Sequence, residues 1–262
     1  MKSKLKLNYS IHTNKGLRAI NEDASWIGMN KSGQYLAIVC DGIGSQDDSQ
    51  IASLVAVEVF AKSFEKKRRI RNCDLWFKKT LRTAYNRITE LSKKNLNSKK
   101  IGTTLLLSII EEDKARTFNL GDTRLYWYSL NDNMWSQVTR DHNLYNYFLD
   151  LHKEDKTIQI NELCAKHKDQ LLALTRCLES GTNSHLHYDV YDTVLQSGDV
   201  LFLATDGVYH YIKNDDISAV IKNNSDNFAS ISKTIIQKAL DNKSNDNLTS
   251  IVIEFRNSDG EQ

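Results

Sequence analysis

Proline is absent from the 262-residue chain. Its turns must therefore rely on Gly, Asn, Asp and Ser, which bond their own backbone or tolerate left-handed conformations. Cysteine is scarce, and Cys40, Cys73, Cys164 and Cys177 form no C-x-x-C pair. That spacing gives no zinc motif and fits free thiols in a reducing, cytoplasmic setting. No apolar run approaches the roughly 18 residues that would suggest a membrane span. The opening MKSKLKLNYS has no apolar segment of signal-peptide length, so a soluble protein is expected. Nor does one sign of charge dominate: 35 Lys and Arg face 33 Asp and Glu. The resulting +2 creates no field that would mark a nucleic-acid binder. The basic run KKRRIR, Lys66 to Arg71, reads as a solvated helix end and loop. A substrate has to be sought in a local site.

What is present is enough apolar sequence, 40% of residues, for a sizeable core. Strands are predicted at Ser25 to Met29 and up to Cys40, then over GTTLLLSII, ARTFNL, RLYWYSL, GDVLFLAT and LTSIVIEF. Helical spacing occupies Asp48 to Lys67, with Asp48 or Ser49 as N-cap, and Cys73 to about Lys94. A further helical pattern covers Asn227 to Leu240. Runs of strands and runs of helices indicate an α+β fold with sheets packed under helices. Residues 141–170 read as a flap subdomain, because Leu144, Tyr147, Phe148, Leu151 and Leu163 need burial within a polar stretch.

The unusual feature is where the carboxylates stand. The apolar run Leu36 to Cys40 ends directly on Asp41-Gly42, and Leu201 to Thr205 ends directly on Asp206-Gly207. Asp246 precedes another strand, Glu22 and Asp23 precede a further one with Arg18 upstream, and Asp122 sits in the turn between two. Each alone reads as a common turn or cap. Together, clustered carboxylates repel unless a cation lies between them, and hard divalent ions take such oxygen ligands. Seven histidines without HExxH, His185-Leu186-His187 being read as an exposed strand edge, leave Mg²⁺ or Mn²⁺ as the fitting metals. Two such ions roughly 4 Å apart could activate water and neutralise a phosphoryl group, with Arg18 as a planar fork for phosphate oxygens. No GxSxG elbow, phosphate loop or CxxxxxR signature supplies a competing nucleophile.

These motifs resemble the metal-dependent protein serine/threonine phosphatases of the type 2C class in their compact bacterial form. GLRAINEDA, VCDGIGS, GTTLLLSII, FNLGDTRLYWY, VTRDHNL, LLALTRCL, GDVLFLATDGVYHYI and NDNLTSIVI follow the family order over nearly the whole chain. The resemblance implies one domain over 1–262, a four-layer sandwich of two central antiparallel β-sheets flanked by α-helices. It further implies that Asp41 bridges two metals, Gly42 gives a carbonyl, and Asp206 and Asp246 complete one ion's shell. Glu22 would serve the other ion and Asp23 its waters. Asp122 would hold a third, weaker ion, and Arg18 the phosphate.

The chain also departs from the pattern. Ser45 stands where glycine is common, DDSQIAS replaces the usual glycine before the helix, and Thr123 stands where serine is commoner. LTRCLES lacks the glycine expected after its leucine. Ile43 occupies the place where many eukaryotic members carry a histidine proposed as general acid. None of these changes removes a metal ligand. The expected activity is hydrolysis of phosphoserine or phosphothreonine in proteins, opposing a bacterial serine/threonine kinase, by a monomer without nucleic-acid or membrane partners. The alternatives are a catalytically silent phosphoprotein-binding relative and a two-metal nuclease or small-molecule phosphatase.

Overall fold

A computed structural model describes residues 5–44, 49–95, 100–181 and 186–257. The chain begins with β1 (Leu5–Asn14), β2 (Ala24–Met29), β3 (Tyr35–Cys40) and the short β4 (Gly42–Ile43). Helices α1 (Ser49–Glu65) and α2 (Cys73–Asn95) follow. Then come β5 (Gly102–Thr103), β6 (Leu105–Glu111), β7 (Lys114–Leu120), β8 (Arg124–Ser129) and β9 (Met134–Gln137). Next are α3 (Leu144–Glu154), α4 (Ile160–Lys166), β10 (Leu178–Glu179), β11 (Asp189–Val194) and β12 (Asp199–Ala204). The chain closes with α5 (Asp206–Tyr209), α6 (Asn214–Asn223), α7 (Ile231–Asp241) and β13 (Leu248–Asn257).

Two five-stranded antiparallel sheets stack face to face, ordered β1-β13-β12-β8-β9 and β11-β7-β6-β3-β2, with a small β10-β5-β4 sheet beside them. Helices α1 and α2 cover one outer face, and α5, α6 and α7 the other. The result is the expected four-layer α+β sandwich. The unbroken apolar run of β3 follows from this layering. Leu36, Ile38 and Cys40 face α1 and α2, whereas Ala37 and Val39 face the opposite sheet. A strand buried on both faces loses the usual polar alternation. Strand β12 repeats the arrangement, with Val200, Phe202 and Ala204 toward the helices and Leu201 and Leu203 between the sheets. Beneath α1 and α2 the core is aromatic, and Phe77 stacks on Phe118 with ring centroids 4.1 Å apart.

The structure differs from the sequence-based expectation in four respects. The strand predicted over GTTLLLSII breaks at Thr104, whose N–H bonds the Asp41 carbonyl at 2.8 Å. The helix predicted over Asn227 to Leu240 begins at Ile231, after a 3₁₀ turn over Ser225–Ser230. Residues 141–170 form α3, α4 and a short turn, but only Phe148 of the five apolar residues expected to be buried is fully so; Tyr147 is exposed. His187 lies in irregular chain before β11, where a strand edge was expected. Ser45 to Asp48 and His185 lie outside the described residues, so the altered loop and the Asp48 cap go with them.

Candidate active site

Strand register gathers the acidic residues. Ala24 pairs with Cys40, so Asp23 and Asp41 leave neighbouring strands at the same edge. Ala204 pairs with both Arg124 and Ser250, and Leu248 with Asn14, so Asp206, Asp122 and Asp246 flank the matching edge of the other sheet. The Thr205 hydroxyl joins the two edges by donating to Asp23 Oδ2 at 3.0 Å. Thr104 and Thr123 share a second cross-link of 2.6 Å.

The backbone around each carboxylate is held in several directions. The Asp41 N–H donates to Thr104 Oγ1 at 2.8 Å, and its carbonyl accepts from the Thr103 hydroxyl at 2.9 Å. The Gly42 N–H reaches the Glu22 carbonyl at 3.1 Å. The buried Asn247 amide accepts from the Glu22 N–H at 2.8 Å and donates to the Lys15 and Ile20 carbonyls at 2.9 Å each. It thereby ties the loop bearing Arg18 and Glu22 to the start of β13. Gly207 is required because a Cβ there would stand 2.0 Å from the Asn247 carbonyl oxygen. Gly121, at φ +126°, turns the chain toward Asp122, and a Cβ there would meet Thr104 at 2.6 Å. Behind Asp122, the Tyr209 hydroxyl donates to its carbonyl at 3.0 Å. The Arg124 guanidinium lies 4.0 Å from the Tyr209 ring centre and is gripped by Asp141 through bonds of 2.9 and 2.7 Å.

The electrostatics are those of crowded, like-charged acids. Burial, then the charges of Asp206 and Asp246, lift Asp23 from the ordinary 3.8 to about 7, against the Thr205 hydrogen bond. Its Oδ1 is buried with no hydrogen-bond partner in the protein. Asp41 still reaches solvent but is packed densely enough that burial, with Asp23, Asp206, Asp122 and Asp246, holds its pKa well above the carboxylate range. Burial and Asp206 push Asp122 to about 7, and burial and Asp246 raise Asp206. Groups that raise one another's proton affinity in this way are poised to exchange protons for a cation.

A buried orphan carboxyl oxygen and an all-oxygen donor set suit a hard divalent ion. Among the described residues, however, no three of His, Cys, Asp and Glu stand close enough to form a ready-made metal-binding group. Arg18 lies at the same edge. Its Nη2 pairs with Asp246 Oδ2 at 2.9 Å and its Nε donates to the Asn245 carbonyl at 3.2 Å. The two residues assigned to phosphate and metal are thus paired with each other.

The profile of the protein phosphatase 2C family matches residues 12–252. This chain belongs to that family. A putative protein phosphatase of Mycoplasma pneumoniae is 32% identical over 251 residues, covering 92% of each chain. The solved serine/threonine phosphatase Stp1 of Staphylococcus aureus is 27% identical, covers 97% of each chain and superposes with a TM-score of 0.77. The catalytic domain of the phosphatase PstP, solved with two manganese ions, covers 97% of this chain and 100% of its own, with a TM-score of 0.75. At 21% identity that last likeness speaks for the fold. Family membership makes the chain a protein serine/threonine phosphatase.

Several site residues were not singled out from the sequence of this phosphatase: Asn247, Thr205, Thr104, Tyr209, Arg124 and Asp141. Their signal was adjacency, since Asn247 follows Asp246 and Thr205 precedes Asp206. Tyr209 and Arg124 carry no such mark, because their bond to the site depends on α5 folding back over β8.

Proposed function

We propose that the acidic edge holds two Mn²⁺ or Mg²⁺ ions and hydrolyses phosphoserine and phosphothreonine without a covalent enzyme intermediate. Asp41 would bridge the ions, with the Gly42 carbonyl, Asp206 and Asp246 serving one and Glu22 and Asp23 the other. Asp122 would hold a third, weaker ion. Bound ions supply Lewis acidity, lowering the pKa of water and neutralising phosphoryl charge. The chain's own residues do the positioning. Asn247 keeps Glu22 level with Asp41, and the threonines hold the Asp41 backbone rigid. Arg18 would exchange Asp246 for a phosphate oxygen when that carboxylate turns to a cation. Its exposed guanidinium has the fork geometry for bidentate anion binding.

The observation that supports this best is the convergence of Asp23, Asp41, Asp122, Asp206 and Asp246, each of the first four pushed toward protonation first by burial and then by its acidic neighbours. We further propose that the enzyme is a cytoplasmic monomer that opposes a serine/threonine kinase, with residues 141–170 as a flap. No described helix is long and apolar enough to cross a membrane. Purified protein should hydrolyse para-nitrophenyl phosphate and a phosphothreonine peptide with Mn²⁺ and stop with EDTA. Absence of turnover across several divalent ions would sink the proposal.

A further inference from the structure

A groove of about 720 Å³ lies away from the acidic edge, between the C-terminal half of α1 and the start of α2. Its walls are cationic: Lys62 from the last turn of α1, Lys66, Lys67, Arg69 and Arg71 from the connecting loop, and Lys79 from α2. Glu58 engages Lys62 and Glu111 engages Arg69. Lys66, Lys67, Arg71 and Lys79 have no ion-pair partner among the described residues, and all four are exposed. Beneath them Val59, Ile70, Leu75 and Trp76 line the same groove. Leu75 keeps 50% of its surface open to solvent although apolar neighbours flank it.

We propose that this groove is a docking site for an acidic peptide segment of a partner protein, anchored by one large apolar side chain. Unpaired cations on both walls select negative charge, which steers and orients a partner more than it adds affinity. Apolar lining under the charges favours a side chain over a phosphodiester backbone, because burial of an apolar anchor supplies binding energy that phosphates cannot. A nucleic-acid track would also want an extended basic surface, whereas the whole chain carries only +2. Geometry lets such a segment work together with the acidic edge. From Ser53, whose hydroxyl bonds the Glu22 carbonyl, to Lys66 the rise along α1 is roughly 20 Å. About six extended residues would cover that distance.

The test uses a fluorescein-labelled, unphosphorylated peptide of Asp and Glu residues around a central Trp, with the full-length protein and fluorescence anisotropy as readout. Saturable binding is expected. It should weaken about tenfold when the acids are replaced by Asn and Gln, and similarly for the double variant Lys66→Glu/Lys79→Glu. Leu75→Ser should weaken it severalfold, and the thermal melts of these variants should match the parent's, showing that they fold. Equal binding of the neutral peptide would overturn the proposal, and so would indifference to the double variant. Tighter lysine-dependent binding of oligouridylate or of phosphatidylserine vesicles than of the peptide would overturn it in favour of those ligands. Because the peptide carries no phosphate, the result is independent of the proposed metal chemistry.

Discussion

The acidic sheet edge and the basic α1–α2 groove both concentrate charge of one sign, and they do so in opposite ways. In the groove the cations are exposed, so water and salt screen them and their crowding costs little. At the sheet edge strands buried on both faces force the carboxylates against protein, and their burial, with their repulsion, appears as raised proton affinity. Burial, not the number of charges, separates a solvated patch from a site that stores electrostatic strain.

Substitutions at the edge should break that contrast most visibly. Asp41→Asn should lower kcat by at least about a thousandfold, or about 4 kcal/mol of transition-state stabilisation, while raising the melting temperature of metal-free protein. Loss of activity without a gain in metal-free stability would contradict the strain argument.

The pH dependence of metal-free stability comes next. Asp23 and Asp122 bind protons more tightly folded than unfolded, so their contribution is present below about pH 4 and disappears as pH rises through about 7. For Asp23 alone a rise from 3.8 to about 7 corresponds to about 4 kcal/mol as an upper bound. Chemical denaturation followed between about pH 4 and about pH 8 should show this loss, and saturating Mn²⁺ should remove it because the ion replaces the protons.

Positioning residues should show smaller effects. Asn247→Ala removes the hydrogen bonds to the Glu22 N–H and to the Lys15 and Ile20 carbonyls, and should cost about 2 kcal/mol in the thermal melt together with a weaker apparent Mn²⁺ affinity. Tyr209→Phe removes only the hydroxyl at the Asp122 carbonyl, so about 1 kcal/mol and a severalfold drop in activity are expected. At the groove, Lys66→Glu/Lys79→Glu should change stability by less than about 0.5 kcal/mol in the same melt.

Much of the fold was legible in the residues. Apolar runs that stop on Asp41 and Asp206 announced strands with carboxylates at their ends, and the amphipathic spacing after Ser49 and Cys73 announced α1 and α2. Strand β1 was not recognised, because Leu5, Leu7, Tyr9 and Ile11 alternate with polar residues at a charged N-terminus that resembles a tail. The helix α6 escaped because its apolar positions, Ile217, Val220 and Ile221, are few and follow two aspartates. KKRRIR was readable as a solvated helix end, yet nothing in it told that its Ile70 would be buried and line a groove with Trp76.

What the sequence determined by itself is local: which segments pleat or coil, which residues end them, and hence which carboxylates emerge from rigid backbone. Periodicity and turn chemistry act over a few residues and can be read in order along the chain. Only the tertiary structure decided that Asp23 and Asp206, distant in sequence, share one hydroxyl-bridged edge, that Arg18 pairs with Asp246, and that Tyr209 braces Asp122. Those relations depend on strand order and on two sheets stacking in one register, and the free energy that selects that register is spread over the buried faces of both sheets.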